Sequence, residues 1–320
     1  MNDLVAKLRS SIPSEALGVE IGAHSLPIEG LTPYYIDRVA QFAGTNGVVD
    51  ILADACALPL RSESLDYLCS SHVLEHLSEP LTSLWEWHRV LRRGGFLYLV
   101  VPDKRFTFDH TRKVTDTSHH LEEFLHGSSV AASREHIRQF IYDTDWARLQ
   151  PASVAENAKV ERDAHYQHWV SVLSSGEGLD IHYHTFTPDS LVATLRAAGF
   201  IGGLKPAFDV VGTAERHPAQ RGDGIGMLLR RSGGDSGSPS DCETFVASNR
   251  RARTPNLQLV CPATLAPLRF KEGRLNVLGY QHHYELSNEI PCLITPSSVK
   301  VRRRWNSRIW RRLTLFKARF

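Results

Sequence analysis

The sequence predicts an α/β fold: a doubly wound, mostly parallel sheet with a helical insertion and a small C-terminal β-rich unit. Three observations predict it. Apolar runs end on acids at Glu20, Asp37 and Asp54, a helix with readable ends lies between two further apolar runs, and a Gly/Ser-rich stretch at 231–241 precedes short alternating segments. The helix is the firmest element. Ser78 and Glu79 offer an N-cap and a first-turn acid, Pro80 stands where a missing N–H costs nothing, and Gly94 offers a stop. Leu81, Leu84, Trp85, His88 and Leu91 then fall on one 3.6-residue face that must pack on a sheet. The runs at 65–69 and 96–101 supply it, the second apolar throughout as a parallel strand covered on both faces is. Strand, helix and strand make a right-handed βαβ unit, whose ligands bind beyond the carboxyl ends of the strands. Those ends carry Ser70, Ser71, His72 and Glu75 on one strand, and Pro102 and Asp103 on the next.

Upstream, residues 16–24 read as an apolar strand ending on Glu20 and a glycine turn at Gly22, where a backbone can approach a ligand closely. A second short strand ends on Asp37, placed to accept both hydroxyls of a ribose, and a third, at 48–53, ends on Asp54. Barely a dozen residues separate Gly22 from Asp37, too few for a full first helix.

These segments, VEIGAH, YYID, ADACALP, SLDYLCSSHVLEH and HRVLRRGG, resemble the class I S-adenosylmethionine-dependent methyltransferases over about residues 16–103. The resemblance implies a seven-stranded sheet completed within 187–231, so that residues 1–231 form the cofactor-binding domain. It implies S-adenosyl-L-methionine as cofactor: Glu20, Gly22 and Ala23 at the turn for the methionyl part, Asp37 for the ribose, Asp54 and Ala55 for the adenine, and His72 facing the sulfur region. Ala23 and His24 depart from the small residues usual in that turn.

The acceptor is expected to be chosen by the insertion, 103–186, because a connection this long is functional or separately folded. It contains nine of the sixteen histidines: His110, His119, His120, His126, His136, His165, His168, His182 and His184. Their spacings give no repeated pair on one helix face with a nearby acid, so no metal is expected. DKRFTFDHTR leaves the fifth strand's carboxyl edge and brings Lys104, Arg105, Asp109, His110 and Arg112 towards the pocket. With Glu75, the residues Lys104, Arg105 and His110 are the expected acceptor contacts. That segment is similar to one in bacterial methyltransferases of surface-glycan modification. IHYHTF alternates, which would place His182 and His184 on one face, and either is a natural base with Asp109 as its orienter or as an alternative base. Two structural histidines beside Tyr183 are the competing reading.

The chain's +2, less nine positive charges in 299–320, leaves −7 on everything before that tail. Trp305, Ile309, Leu313, Phe316 and Phe320 recur at helical spacing, so the tail reads as a basic amphipathic helix. It is suited to an anionic membrane surface, or to docking by its aromatic stripe. Between a linker at 232–254 and the tail, residues 255–298 resemble the small zinc-ribbon-like activator subunits of some tRNA, rRNA and release-factor methyltransferases. Here only Cys261 and Cys292 remain, Thr264 stands where a paired cysteine would be, and His282 and His283 point to opposite faces of a strand, so no zinc is expected. Five scattered cysteines, no long apolar segment and no apolar signal core fit a cytoplasmic protein, peripheral to a membrane if the tail binds one. Three functions stay open: a small-molecule or saccharide methyltransferase, an RNA or protein methyltransferase, and a cofactor-binding protein without catalysis. The acidic body and the absence of an Asn/Asp-Pro-Pro-aromatic motif weigh against nucleic acid. Oligomeric state is not legible.

Overall fold

The computed structural model describes residues 3–42, 45–149, 158–175, 179–233, 244–245, 257–271, 274–278, 283–284, 286–287, 290–291 and 293. The basic tail, most of the linker, His282, Cys242 and Cys292 lie outside them. Seven strands form one sheet: β1 (Gly18–Ile21), β2 (Tyr34–Asp37), β3 (Ile51–Leu52), β4 (Leu65–Ser71), β5 (Leu91–Pro102), β6 (Phe208–His217) and β7 (Gly224–Arg231). Their order is β3-β2-β1-β4-β5-β7-β6. The first five are parallel, and β7 inserts antiparallel between β5 and β6. The strand order therefore reverses beside β1 and β4, where such a sheet opens a crevice at its carboxyl edge. Because β7 runs the other way, its start meets that edge, and Asp223 reaches Asp103, whose amide donates to the Asp223 carbonyl at 2.8 Å.

Helix α1 (Leu4–Ser11) packs Leu4 and Leu8 on one sheet face, with Tyr67, Tyr98 and Leu228. Helix α2 (Pro80–Val90) covers the other. Its N-cap is Glu79 and not Ser78, with no side-chain cap and Pro80 at its start. Glu79 accepts instead from Thr82 Oγ1 and the Ser128 amide. The helix stops at Val90, four residues before Gly94, because the amides of Glu63 and Ser64 take the carbonyls of Arg89 and Val90. Leu91 accordingly pairs with Leu65 as the first residue of β5, and is not on the helix face. That face is led by Trp87, which is fully buried and donates from Nε1 to the Ala55 carbonyl at 3.0 Å. With Arg89, which donates to the carbonyls of Leu58 and Leu60, it fixes the loop that carries Asp54. The third strand is shorter than its apolar run, since Asp50 Oδ2 takes the Tyr35 amide at 2.8 Å in place of a ladder bond.

No helix intervenes between β1 and β2. The insertion is helical, with α3 (Thr117–His126), α4 (Val130–Asp143) and α5 (Ala158–Ser175). The chain returns through an extended stretch to α6 (Pro188–Ala197), which Thr187 and Ser190 close in a reciprocal capping box. Within the C-terminal unit, β8 (Leu268–Lys271), β9 (Arg274–Val277) and β10 (His283–Tyr284) form an antiparallel sheet. Leu259, Cys261, Leu275, Val277 and Leu293 join the main core, and the Leu293 amide donates to the Leu52 carbonyl at 2.7 Å, covering the edge strand β3. Thr264 Oγ1 takes the Ala266 amide there. No helix among the described residues is long and apolar enough to cross a membrane.

Trp87→Ala should cost about 3–5 kcal/mol, the range for emptying an aromatic site in a packed core. Urea unfolding of variant and wild type measures it, and a loss under 1 kcal/mol would contradict the packing.

Candidate active site

At the end of β1, Gly22 takes φ +69°, and a side chain there would place Cβ 2.4 Å from Val73 Cγ2. Its amide donates to the Ile36 carbonyl, so the turn folds back on β2. Ala23 is buried in the same turn. Both oxygens of buried Glu20 hold the Ile28 amide, at 3.1 and 3.2 Å. Burial pushes this carboxyl up to about 7, against the pull of that amide, so Glu20 shapes the loop from within. Asp37 and Asp54 are half-buried. Asp37 Oδ1 takes the amides of Arg38 and Val39, and Asp54 Oδ1 takes that of Cys56. A carboxylate accepts up to four hydrogen bonds, so each retains capacity on Oδ2. A glycine turn and two strand-end acids with acceptor capacity fit the adenosine and methionyl parts of S-adenosylmethionine.

Beyond β4 the backbone is strained: His72 takes φ +55°, outside the comfortable range of a residue with a Cβ. Its ring lies 3.7 Å from Glu75 on one side and 3.7 Å from Asp223 on the other. Burial pushes it down to about 4, so it is neutral. Glu75 is completely buried and neither oxygen has a hydrogen-bond partner, which pushes its carboxyl up to about 7. His76 stands 3.9 Å from Glu75 and 3.4 Å from Asp180, and burial pushes it down to about 3.

His182 faces this group, edge-on to the His76 ring at 4.6 Å. Its Nδ1 lies 2.6 Å from Asp109 Oδ2, while Asp109 Oδ1 accepts from Arg112 Nη1 at 2.8 Å. Burial alone would lower the His182 pKa, but the Asp109 hydrogen bond and charge, aided by Glu75, raise it above the ordinary value. Burial would likewise raise Asp109; His182 and Arg112 outweigh it and hold that carboxyl low. A histidine whose second nitrogen is fixed by a carboxylate is the arrangement of an oriented general base.

His184 is elsewhere. Although two residues from His182, it shares none of its contacts: it is fully buried against Glu123 of α3, with His119, His120 and His136 around it. The other residues expected to contact an acceptor are engaged. Arg105 is bidentate on buried Asp103 and also meets Glu215, His110 lies 3.6 Å from Asp145, and Lys104 Nζ donates to the His110 carbonyl while feeling the charge of Asp109. Residues that sequence reasoning missed are His76, Asp180 and Asp223. His76 had a signal, the second histidine of HVLEH; Asp223 depends on the antiparallel entry of β7, which leaves no local trace.

Residues 20–99 match the methyltransferase domain family. The matched stretch is a quarter of the chain, and Glu20, Gly22, Asp37, Asp54 and His72 all lie inside it. No curated protein matches the chain. Among solved structures, an S-adenosylmethionine-dependent methyltransferase from Thermotoga maritima is similar at 20% identity, covering 71% of this chain and 89% of that one, with a TM-score of 0.35. One from Mesorhizobium loti is 15% identical, covering 71% and 96%, with a TM-score of 0.36. One from Aquifex aeolicus is 12% identical, covering 72% and 89%, with a TM-score of 0.33.

Glu75→Gln tests the buried carboxyl. A folded-state pKa above the unfolded value means that ionised Glu75 opposes folding, an effect absent below about 4.5 and complete above about 7. The variant should match wild type in melting temperature at pH 4.5 and exceed it at pH 8; a lower melting temperature at pH 8 would contradict the assignment.

Proposed function

We propose that the enzyme methylates an oxygen or nitrogen of a small-molecule or saccharide acceptor, with His182 as the base that takes the acceptor's proton. The observation that carries this reading is the His182–Asp109–Arg112 chain, a base with its tautomer and orientation fixed at the wall that holds Glu75 and His72. S-adenosyl-L-methionine supplies the electrophilic methyl group. Asp37 and Asp54 hold its adenosine, with Ala55 against the adenine, and Gly22, Ala23 and His72 border the methionyl side. Neutral His72 adds no positive charge beside a sulfonium. The protein's task is then to exclude water, hold the acceptor in line and receive one proton.

His182 meets that last need and His184, enclosed by α3 and α4, does not. Glu75 and Lys104 face the acceptor in this reading. Arg105 and His110, held by carboxylates, shape the segment. A net charge of −7 before the tail supports a small acceptor over a polyphosphate backbone.

Calorimetric titration should show binding of S-adenosylmethionine and S-adenosylhomocysteine, weakened about tenfold or more in Asp37→Ala as the loss of a charged hydrogen bond implies. Absence of binding by either ligand in wild type would sink the reading. With labelled cofactor, incorporation should go to a saccharide or small-molecule pool and not to RNA or protein. His182→Gln should lower turnover by about 100-fold or more with cofactor affinity unchanged, the scale of general-base catalysis. The base must be neutral to act, so activity falls as pH drops through the raised His182 pKa. Asp109→Asn removes the group that raises it, and should move that acid limb to lower pH while reducing the plateau. An unmoved limb would reject His182 as the base.

A further inference from the structure

We infer that the insertion holds one first-row divalent transition metal, Zn²⁺ by its donor set, between His119, Glu123, His136 and His184. One ligand atom from each of these residues lies within 4.8 Å of all the others. They come from three elements: α3 supplies His119 and Glu123 four residues apart on one helix face, α4 supplies His136, and the extended return segment supplies His184. His119, His136 and one oxygen of Glu123 already stand at the separations of a coordination sphere, with His184 beside the other oxygen. His119 Nε2 and His136 Nε2 are 3.2 Å apart, and Glu123 Oε1 is 2.9 Å from the second and 3.4 Å from the first. His184 Nε2 is 3.4 Å from Glu123 Oε2. Ligand bonds of about 2.0–2.1 Å in a tetrahedron place donor atoms about 3.3 Å apart.

Hydrogen bonding leaves this cluster unfinished. Two imidazole nitrogens converge on one another and on a single carboxylate oxygen, while Glu123 Oε2 and His136 Nδ1 are buried without a well-formed hydrogen bond and the His184 ring has only the Ser78 backbone and Glu123 beside it. A cation at the centre satisfies the converging lone pairs together. Three imidazoles and one carboxylate suit Zn²⁺, whereas Ca²⁺ and Mg²⁺ require mainly oxygen donors. Four protein ligands make a closed structural site, and the half-exposed His119 gives the ion its way in. The group Glu75, His76 and His182 offers three donors only, with His182 Nδ1 already committed to Asp109. The metal would clamp α3 and α4 to the segment bearing His182; this positioning consequence rests on the proposed function, whereas the binding of metal does not.

The test is the metal content of the full chain, prepared without a polyhistidine tag, exposed to equimolar Zn²⁺ and desalted, by mass spectrometry. About one Zn²⁺ per chain is expected, with chelation lowering the melting temperature, and Co²⁺ in its place should give the intense visible bands of a tetrahedral site. His119→Ala and His136→Ala should retain under about a tenth as much, since each removes a direct ligand. Loss of buried His136 can also unfold the chain, so half-exposed His119 is the decisive variant, with folding checked by circular dichroism. His76→Ala should keep its metal. Wild type without retained Zn²⁺, or His119→Ala with its full complement, would overturn the site, as would loss in His76→Ala alone.

Discussion

One backbone hydrogen bond ties the molecule's two halves of chemistry together: the Tyr183 amide donates to the Glu75 carbonyl at 2.8 Å. It joins the strained turn after β4 to the extended segment that returns from the insertion, across more than a hundred residues of chain. Phe186 continues the seam, bridging in parallel to Asp103, and its carbonyl takes the Lys104 amide. Between these fixed points the segment is held extended, so its side chains cannot choose their neighbours independently. His182 is delivered to Asp109 and Glu75, and His184 to Glu123. The position of His182 is thus set by the sheet, through peptide groups that a mutation of side chains does not remove.

The carboxylates around His182 are differentiated by their surroundings. Asp109 has the His182 hydrogen bond on one side and the Arg112 guanidinium on the other, and together they hold its carboxyl low despite its burial. Glu75, equally buried, has no hydrogen-bond partner and approaches neutrality near pH 7. Two acids in one pocket pushed in opposite directions divide their roles: the ionised one can orient and stabilise an imidazolium, and the near-neutral one can donate a hydrogen bond to an acceptor oxygen. His182 first and Arg112 second make that division, since both oppose the burial that would otherwise drive Asp109 in the same direction as Glu75.

How much was legible follows from the range of each interaction. The βαβ unit, the strand-end acids and the Thr187 cap were readable because periodicity, capping and strand termini are local. The end of α2 falls short of Gly94 because its stop signal is the amides of Glu63 and Ser64, which arrive from a loop 26 residues upstream. Trp87 was passed over in favour of Trp85 and His88, since the helix packs against both the sheet and the Asp54 loop and so buries a wider face than one stripe. The His119–Glu123 pair leaves no metal signature in the sequence, which shows no repeated histidine pair on one helix face. A single histidine and acid at helical spacing becomes a donor set only when α4 and the return segment fold onto it.

The β1–β2 edge of the crevice is the less elaborate half. With no helix after β1, the usual dipole and amides at a helix N-terminus are missing from the turn, and Glu20 compensates by pulling the Ile28 amide inward to close the loop. Such a loop cannot be stiff on its own; its support comes from Val73 against Gly22 and from the paired strands β1 and β2. On the far side β3 has only two residues, too few to hold Asp54 by strand pairing alone. Trp87 fixes the Asp54 loop from within, and Leu293 covers the β3 edge from without. The C-terminal unit therefore supports β3 and the Asp54 loop by packing, through main-chain contacts to Leu52, Pro59 and Leu60.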